Sequence, residues 1–388
     1  MSDIRFSKPW SAPGELDNLT RALASGHLHG DGPFTAAASQ RLRDLTGTGK
    51  ALLTSSCTHA LELAGLLLDL QPGDEVVVPS FTFSSTAAAV AIRGATPVFV
   101  DVDPLTLNVD PAQVAAAVTD RTRAVYVVHY GGVAVDVPAV RAAAGDDVVV
   151  VEDNAHGLGA SVDGRLLGSL APLAAQSFHD TKNVQCGEGG ALLVNDERFA
   201  ERAEIIREKG TNRVKFLRGQ VDKYTWVDVG SSYLPSELQA ALLLAQLDAF
   251  DSIQALRHRV WDGYAEALPG WAADNGVRLM HVPDGVKHPA HLFYLQMPSH
   301  EDQGGLISAL KADGVTATFH YQPLHSSPAG RALGRTGAAG CPVTDRAAET
   351  LVRLPLHPGM TEADVQRVVD LVTSYRTVAA VPARAVLT

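Results

Sequence analysis

Short apolar runs alternate with segments of helical periodicity along the first 250 residues. The apolar runs, rich in valine, cover residues 51–54, 75–79, 97–102, 124–130 and 147–153. Between them, residues 58–70 and 111–118 carry apolar side chains at the spacing of a helix. Near-continuous apolar strands that alternate with helices are typical of a parallel sheet covered on both faces. The pattern therefore predicts a three-layer α/β domain.

The order of predicted elements changes near residue 250. Strands over residues 176–179 and 191–195 and helices over 197–209 and 236–250 continue the first domain. The later part predicts helices over 252–268, around 305–312 and over 362–375, with strands over 291–297 and 315–321. The chain is therefore expected to form a large α/β domain, residues 1–250, and a smaller α+β domain, residues 251–388. Because no linker or internal repeat separates them, the two parts are expected to pack together.

Composition and charge exclude several classes of protein. The 388 residues are 46% hydrophobic and 19% charged, which is typical of a globular protein. The net charge of −11, without a block of basic residues, argues against nucleic acid or an anionic membrane as the main partner. The first ten residues lack a signal-peptide core, and the apolar stretches are too short to span a membrane. Three cysteines without paired spacing favour a reducing cytoplasm.

Asp153 ends the predicted strand over residues 147–153. In open α/β sheets, ligands bind at the carboxyl ends of the strands, so this carboxylate is a candidate functional group. It is equally placed to cap the turn that follows. His156 comes three residues later, and with His129 and His179 it leaves open a metal site, which in a hydrolase would hold zinc.

Lys182 follows the predicted strand over residues 176–179 and precedes a glycine-rich run over 186–190. Such a lysine can be a solvated surface residue. A Schiff-base lysine also needs this placement, since a rigid strand positions the amine and partial desolvation lowers its pKa.

The turn over residues 55–58 leads from the strand over residues 51–54 into an apolar helix. Backbone N–H groups at a helix start, together with hydroxyl groups, can hold a phosphate, although simple N-capping is the alternative. The sequence contains no glycine-rich nucleotide fingerprint here. Phe83 follows another strand end and is a candidate either for the core or for stacking on a cofactor.

Taken in chain order, these elements resemble the sugar aminotransferases of the DegT/DnrJ/EryC1/StrS family. The resemblance covers nearly the whole chain, and its most specific stretches are TSSCTHALELA (54–64), PGDEVVVPSFTFSSTAAA (72–89), VVEDNAHG (150–157), SFHDTKN (177–183), GEGG (187–190) and FHYQPLH (319–325). It implies a pyridoxal 5′-phosphate (PLP) enzyme with the aspartate aminotransferase type I fold.

The resemblance also implies a role for particular residues. Lys182 matches the Schiff-base lysine, and Asp153 matches the partner of the pyridine nitrogen. The further cofactor contacts that it implies are Ser56, Cys57, Thr58 and Ser177 at the phosphate, Phe83 on the ring, His156 at O3′ and Ser232 at the phosphate of the neighbouring subunit. The substrate contacts that it implies are His320, Tyr321 and His325. No residue is assigned to a metal.

Two stretches, residues 207–213 and 219–241, resemble the branch that aminates dTDP-4-keto-6-deoxyglucose at C4, the enterobacterial-common-antigen transaminase type. The implied enzyme is a cytoplasmic homodimer with shared active sites. It moves the amino group of L-glutamate to a nucleotide-linked keto-sugar, in amino-sugar biosynthesis for an antibiotic or another glycoconjugate. A keto-pentose acceptor and reaction at C3 are the alternatives within this class.

Departures from the family pattern and two rival functions complete the expectations. Ser232 stands where many members have Asn, Cys57 where Gly is usual, and His156 where many have Gln. A keto-sugar dehydratase of the same fold has His in place of the lysine, so Lys182 argues against that activity. A non-catalytic scaffold protein is the second rival, and the joint presence of Lys182 and Asp153 argues against it.

Overall fold

The computed structural model describes residues 3–337 and 339–378. The helices are α1 Glu15–Ser25, α2 Pro33–Thr46, α3 Cys57–Leu67, α4 Ser84–Ala91, α5 Pro111–Ala117, α6 Val137–Ala144, α7 Ala200–Arg207, α8 Arg213–Leu217, α9 Glu237–Asp248, α10 Phe250–Ala267, α11 Pro269–Asp274, α12 His300–Ala312, α13 Pro328–Leu333, α14 Pro342–Thr350 and α15 Glu362–Ser374. The strands are β1 Lys50–Thr54, β2 Glu75–Pro79, β3 Thr96–Val100, β4 Thr122–Val128, β5 Val149–Asp153, β6 Ser161–Val162, β7 Arg165–Leu166, β8 Leu173–Ser177, β9 Gly190–Val194, β10 Arg278–Leu279, β11 Val286–Lys287, β12 Phe293–Gln296, β13 Arg335–Thr336 and β14 Leu351–Leu354.

A sheet of eight strands organises the larger part of the chain, in the order β1-β9-β8-β5-β4-β2-β3-β13. Strands β2 to β5 are fully or almost fully buried, as expected for apolar strands with helices on both faces. One core cluster packs α3 and α4 against the sheet, and another packs α5 and α6 against β3, β4 and β5. The α/β class and the layered architecture predicted from the sequence are confirmed.

Strand β9 differs from the expected parallel arrangement, because it runs antiparallel to both β8 and β1. The connection from β8 to β9 is short and contains no helix. A parallel neighbour needs a crossover that returns the chain to the opposite end of the sheet, usually through a helix, and residues 178–189 contain no helix, so the chain turns back instead. The other six long strands keep one direction, and their carboxyl ends meet at one edge of the sheet.

A second sheet, β10-β12-β14, forms the core of the C-terminal part with α10, α12 and α15. The strand expected over residues 315–321 is wrong. That segment makes only isolated bridges, between Ile4 and Val315 and between Thr318 and Arg353 of β14, because its pairing with either neighbour does not continue from residue to residue. The helix expected over residues 197–209 is a 3₁₀ turn, Glu197–Phe199, followed by α7, which ends at Arg207.

The boundary between the two expected domains, at residues 250 and 251, stays a prediction. Residues 1–2 of the first and 379–388 of the second lie outside the described residues. Contacts cross that position in both directions. Ile4 packs in the core of the second sheet, and β13 joins the edge of the large sheet beside β3. Across residues 3–337 and 339–378, none of the helices is both long and apolar enough to cross a membrane.

Candidate active site

A cavity of about 520 Å³ lies at the carboxyl ends of the large-sheet strands and is closed on the other side by residues of the second sheet. Ten of the twelve site residues expected from the sequence line it: Ser56, Cys57, Thr58, Phe83, Asp153, His156, Ser177, Lys182, His320 and Tyr321. They come from separate stretches of the chain, so the fold assembles the predicted motifs into one chamber.

Asp153 is the last residue of β5, and the residue is 5% exposed. Its Oδ2 accepts a hydrogen bond from the hydroxyl of Thr86, at 2.8 Å, and its Oδ1 accepts one from the N–H of Ala155, at 3.2 Å. Burial raises the pKa of Asp153, while these two donors and the nearby charge of Lys182 lower it. The carboxylate is thus held by two donors in a buried place where a further cationic N–H would stabilise its charge.

Lys182 lies in the short connection between β8 and β9, where its backbone N–H donates to the carbonyl of His179 at 2.9 Å. Its side chain reaches into the cavity. Burial lowers the pKa of Lys182, whereas Cys57 and the carboxylate of Asp153 raise it. A lysine with a lowered pKa holds more of its amine in the neutral, nucleophilic form at neutral pH.

The start of α3 forms a concave wall of the cavity. Ser56 is the N-cap, and its hydroxyl accepts the N–H of His59 at 3.1 Å, while the hydroxyls of Thr58 and Ser85 lie 2.7 Å apart. The first amides of a helix lack intrahelical acceptors and attract anions. Gly190 packs directly on this turn, because a Cβ there would collide with the backbone of Ser56 and Cys57.

His156 is a neutral imidazole whose Nδ1 atom accepts one hydrogen bond. Its Nδ1 lies 3.2 Å from the N–H of Gly131, which donates to it, so the ring proton is on Nε2. The ring stacks on His291 at 4.1 Å, and His291 Nδ1 lies 2.8 Å from Asn183 Oδ1. Burial holds the pKa of both histidines well below 6.5.

Aromatic residues close the cavity from the side of the second sheet. The ring of Tyr321 lies 5.5 Å from that of Phe81 and 6.4 Å from that of Phe83, which is 60% exposed. His320 Nδ1 lies 3.0 Å from the hydroxyl of Tyr130. The exposed face of Phe83 therefore remains available for a flat ligand in the cavity.

Two of the expected site residues lie elsewhere in the single chain. Ser232 is exposed and forms an isolated bridge with Glu208. His325 donates or accepts a hydrogen bond with Ser80 through Nδ1, at 2.7 Å, and its Nε2 lies 3.5 Å from Asp345. The roles expected for these two residues stay predictions.

Four residues of the site are absent from the sequence-based set: His291, Arg257 and Arg353 line the cavity, and Thr86 lies behind Asp153 and donates to its carboxylate. Thr86 belongs to the same hydroxyl-rich stretch as Phe83, and the number of hydroxyl groups in that stretch could have indicated Thr86 as a site residue. Arg353 lies in β14 and His291 lies just before β12. A single polar residue in such an apolar segment gives, in the sequence, the same pattern as a residue that faces solvent.

The arrangement gives no support to the metal alternative. His129 Nε2 lies 2.8 Å from Glu152, and Nδ1 accepts the N–H of Val135, so this histidine is fully occupied inside the core. His179 is half-buried at the cavity, and its Nδ1 lies 2.9 Å from the hydroxyl of Thr181. Within the described ranges, no group of three or more His, Cys, Asp or Glu side chains is arranged to hold a metal ion.

The donor set fits PLP. The chamber offers an amine for the aldehyde, a buried carboxylate for the pyridine nitrogen and a helix start for the phosphate, at Lys182, Asp153 and Ser56. Gly190 has no side chain, so its backbone can pack directly against the backbone of Ser56 and Cys57 at the helix start that would hold the phosphate.

Comparisons with known proteins agree with this geometry. The family model described as the DegT/DnrJ/EryC1/StrS aminotransferase family matches residues 11–373. The spore coat polysaccharide biosynthesis protein SpsC of Bacillus subtilis (strain 168) is 33% identical over 380 residues, which cover 95% of this chain and 96% of the relative.

Solved structures with the same architecture include two sugar aminotransferases. The PLP form of the putative sugar aminotransferase Spr1654 from Streptococcus pneumoniae has a TM-score of 0.87 at 26% identity and covers 96% of this chain and 98% of its own. DesI, solved in the presence of its TDP-sugar product, has a TM-score of 0.86 at 31% identity and covers 96% of this chain and 93% of its own.

The expected fold type, cofactor and enzyme class are therefore confirmed: the protein is a PLP-dependent sugar aminotransferase of fold type I. The family match spans most of the chain and coincides with all the motifs that form the cavity. The chain belongs to the DegT/DnrJ/EryC1/StrS aminotransferase family.

Proposed function

We propose that the protein transfers the amino group of L-glutamate to the C4 keto group of a dTDP-linked 4-keto-6-deoxy sugar, in the synthesis of an amino sugar for an antibiotic or another glycoconjugate. The observation that carries the proposal is the meeting of Lys182, Asp153 and the start of α3 in one cavity. Support for the sugar comes from the stretch over residues 219–241 and from the TDP-sugar product of DesI, a relative of similar length.

Lys182 is proposed to hold the cofactor covalently and then to move protons. When bound, PLP supplies an aldehyde and an electron-withdrawing ring that let an amino group pass between two substrates. Once the incoming amine has displaced it, the Nζ atom of Lys182 is free to take the proton that leaves the substrate carbon and to return it on the cofactor side. The lowered pKa of Lys182 favours the neutral amine that both tasks need.

Asp153 is proposed to accept a hydrogen bond from the protonated pyridine nitrogen. Burial makes the charge of Asp153 costly, and a cationic N–H is the group that best offsets that cost. Thr86 and Ala155 fix the orientation of the carboxylate.

The remaining contacts position the cofactor. The amides at the start of α3, with Thr58 and Ser177, are proposed to hold the phosphate, and Phe83 is proposed to cover one face of the ring. His156 is proposed to donate Nε2–H to O3′, since Gly131 already occupies its Nδ1.

The active form is proposed to be a homodimer with shared sites. Large apolar side chains are exposed along one segment of the single chain, with Tyr224 at 54% and Trp226 at 75% exposure. Such a surface is typical of an interface. The segment continues to Ser232, which is proposed to reach the phosphate in the partner's cavity. The three cysteines are free thiols, which fits the cytoplasm as the proposed location.

The decisive test for the reaction uses the purified protein with L-glutamate and a panel of dTDP-keto-sugars, with products identified by NMR. We expect a 4-amino-6-deoxy sugar. Product from a keto-pentose or at C3 would replace the proposed acceptor, and loss of water instead of gain of nitrogen would indicate a dehydratase. A protein that binds PLP without turning over any of these substrates would be a scaffold.

Borohydride reduction tests the role of Lys182 separately. The yellow protein is expected to lose its visible absorbance and to carry the cofactor on the peptide that contains Lys182. Label on another lysine would overturn the assignment. Lys182→Ala is expected to bind PLP without a covalent bond and to lose turnover by several orders of magnitude.

Subunit mixing tests the shared sites. Lys182→Ala and a variant with a bulky charge, Ser232→Arg, are each expected to be inactive. Random exchange between equal amounts should restore activity to roughly a quarter of wild type, because each mixed dimer contains one intact site. No recovery despite proven exchange would contradict the shared-site arrangement.

A further inference from the structure

A second cavity, of about 200 Å³, lies where the loop after β3 meets the second sheet and α14. It is lined by Pro104 of the loop, by Arg278 of β10, by Gln296 of β12 and by one face of α14 that includes Arg346. None of the residues that line it also lines the active-site cavity. The second cavity is therefore a separate place in the fold, and the reaction described above makes no use of it.

The side-chain amide of Gln296 has no partner in this cavity. Gln296 is 5% exposed. Its side chain makes no hydrogen bond with any residue in the ranges 3–337 and 339–378. An amide that leaves water without gaining a new hydrogen bond destabilises the folded state. A polar ligand in the cavity would supply the missing partner.

Two guanidinium groups accompany this amide. Arg278 lies directly opposite Gln296 in the antiparallel pair of β10 and β12, so the two side chains lie on the same face of the sheet. Arg278 forms neither a hydrogen bond nor an ion pair through its side chain within the described part of the chain. Arg346 donates one terminal nitrogen to the carbonyl of Pro298 and has no carboxylate partner among the described residues. Both cations are therefore available to an anion.

The acidic residues of the neighbouring turns are engaged elsewhere. Asp101 accepts two backbone N–H groups at the start of α14, each at 2.8 Å. Asp103 accepts two backbone N–H groups of its own loop, at 3.0 and 2.8 Å. Asp345 of α14 lies 3.5 Å from the imidazole of His325. In a protein with a net charge of −11, two arginines without a carboxylate partner beside one cavity indicate an anion that comes from outside the chain.

We propose that this cavity binds a small phosphate monoester. A phosphate group has three terminal oxygens, so it can accept hydrogen bonds from both guanidinium groups and from the Gln296 amide, whereas a carboxylate has only two oxygens. Its charge of nearly −2 at neutral pH matches two cations. The phosphate monoester is thus the anion that satisfies all three groups together.

The remaining wall and the volume limit the rest of the ligand. The wall is completed by apolar side chains, among them Pro104, Val343 and Ala347. Such a surface favours a carbon ring over free water. The volume is well below that of the active-site cavity and below the usual range for a drug-sized ligand, so a nucleotide sugar is too large. The expected ligand carries one phosphate on a small, largely apolar ring.

The experiment compares wild type with Arg278→Met, Arg346→Met, their double variant, Gln296→Leu and the control Arg141→Met. Arg141 is an exposed arginine near the end of α6 and lies outside the second cavity. Each PLP-loaded protein is first reduced with borohydride, so that the cofactor stays in its own phosphate site. The proteins are then titrated with phenyl phosphate by calorimetry and melted with and without it. Phenyl sulfate, which has one charge, and inorganic phosphate, which has no ring, serve as comparison probes.

We expect phenyl phosphate to bind wild type and Arg141→Met equally and to raise the melting temperature of both. Arg278→Met and Arg346→Met should each weaken binding by about two- to fivefold, the effect of one exposed ion pair, and the double variant by about the product of the two. Gln296→Leu should weaken binding by about two- to tenfold, the effect of one hydrogen bond. Phenyl sulfate and inorganic phosphate should both bind wild type more weakly than phenyl phosphate does.

Other outcomes overturn the proposal. Absence of binding to wild type, or binding that all the cavity variants leave unchanged, would show that the second cavity does not take this ligand. Equal affinity for inorganic phosphate would make the free anion the ligand instead of a monoester, and equal affinity for phenyl sulfate would remove the need for a double charge. If Gln296→Leu does not fold, the arginine variants decide, since both arginines are exposed. None of these results depends on which sugar the enzyme aminates, so the inference and the proposed function fail separately.

Discussion

The hydroxyl of Thr86 is the buried side-chain donor to Asp153, and its removal measures how much the reaction depends on the carboxylate charge. The substitution Thr86→Val keeps the shape of the side chain and deletes the bond of 2.8 Å. A hydrogen bond to a charged group contributes about 1.5–3 kcal/mol. At about 1.4 kcal/mol for each factor of ten, the ionised carboxylate becomes about ten- to hundredfold less favoured relative to the protonated acid.

The direction of the pH effect follows from the groups around Asp153. Burial raises the pKa of this residue and the Thr86 hydroxyl lowers it, so loss of the hydroxyl raises the pKa further. The reaction needs the carboxylate, which is lost as pH falls. We therefore expect kcat/KM of Thr86→Val to fall about ten- to hundredfold on the acid side of its pH profile and to recover as pH rises.

Thr82→Val is the matched control, because the Thr82 hydroxyl lies 2.9 Å from that of Thr86 and makes no bond to Asp153. The pH profile of kcat/KM of Thr82→Val is expected to shift less than that of Thr86→Val. Asp153→Asn is the limiting case, in which no increase in pH restores activity. Two controls are needed: Thr86→Val must melt at the wild-type temperature and must load PLP. If the acid side of its pH profile is then unchanged, the charge of Asp153 does not limit the reaction.

Three further predictions concern single substitutions. Gly190→Ala is expected to lower the melting temperature and the PLP affinity, since overpacking against the Ser56 turn costs about 1–3 kcal/mol, whereas Gly270→Ala, which meets no neighbour within 4 Å, should do neither. His156→Gln should keep activity within a few-fold, because an amide can accept from Gly131 and donate as the imidazole does; complete loss in a steady-state assay would give the imidazole a role of its own. The pKa of Glu75 is lowered from 4.5 to about 2, first by Arg335 and also by Thr119 and Arg121. Glu75 should therefore contribute stability that is present above pH 4.5 and lost toward pH 2, so Glu75→Gln should flatten the dependence of the melting temperature on pH in that window.

The parts of the molecule that the sequence predicts well are governed by local pattern. Valine-rich runs predict β2 to β5, because strands covered on both faces must be apolar throughout. Asp153 and Lys182 could be selected since Asp153 ends such a run and Lys182 follows the next predicted strand, and strand ends of one direction share an edge of the sheet. The family resemblance then supplied the roles, which neighbouring residues alone leave open.

The parts that the sequence misses depend on long-range packing. Thr86 contacts Asp153 across 67 residues, and only the seating of α4 on the end of β5 brings them together. Arg353 interrupts an apolar strand and, as a sequence feature, resembles a solvent-facing position, yet its side chain enters the cavity. The segment over residues 315–321 has the composition of a strand, but a strand needs a partner along its length, and here only Val315, beside Ile4, and Thr318, beside Arg353, find one.

The return of the chain to the large sheet has a consequence for how the protein must be made. The edge beside β3 is covered by β13, and Ile4 exchanges backbone hydrogen bonds with the segment around Val315, at 2.9 Å for the bond from Thr316. On the ribosome, domains generally fold as they emerge, starting from the N-terminus. Here the segment that contains Ile4 is made long before its partners, residues 314–316, and β3 is made long before β13. Neither contact can form until those later residues have left the exit tunnel, so the edge beside β3 stays open during most of the synthesis of the two sheets.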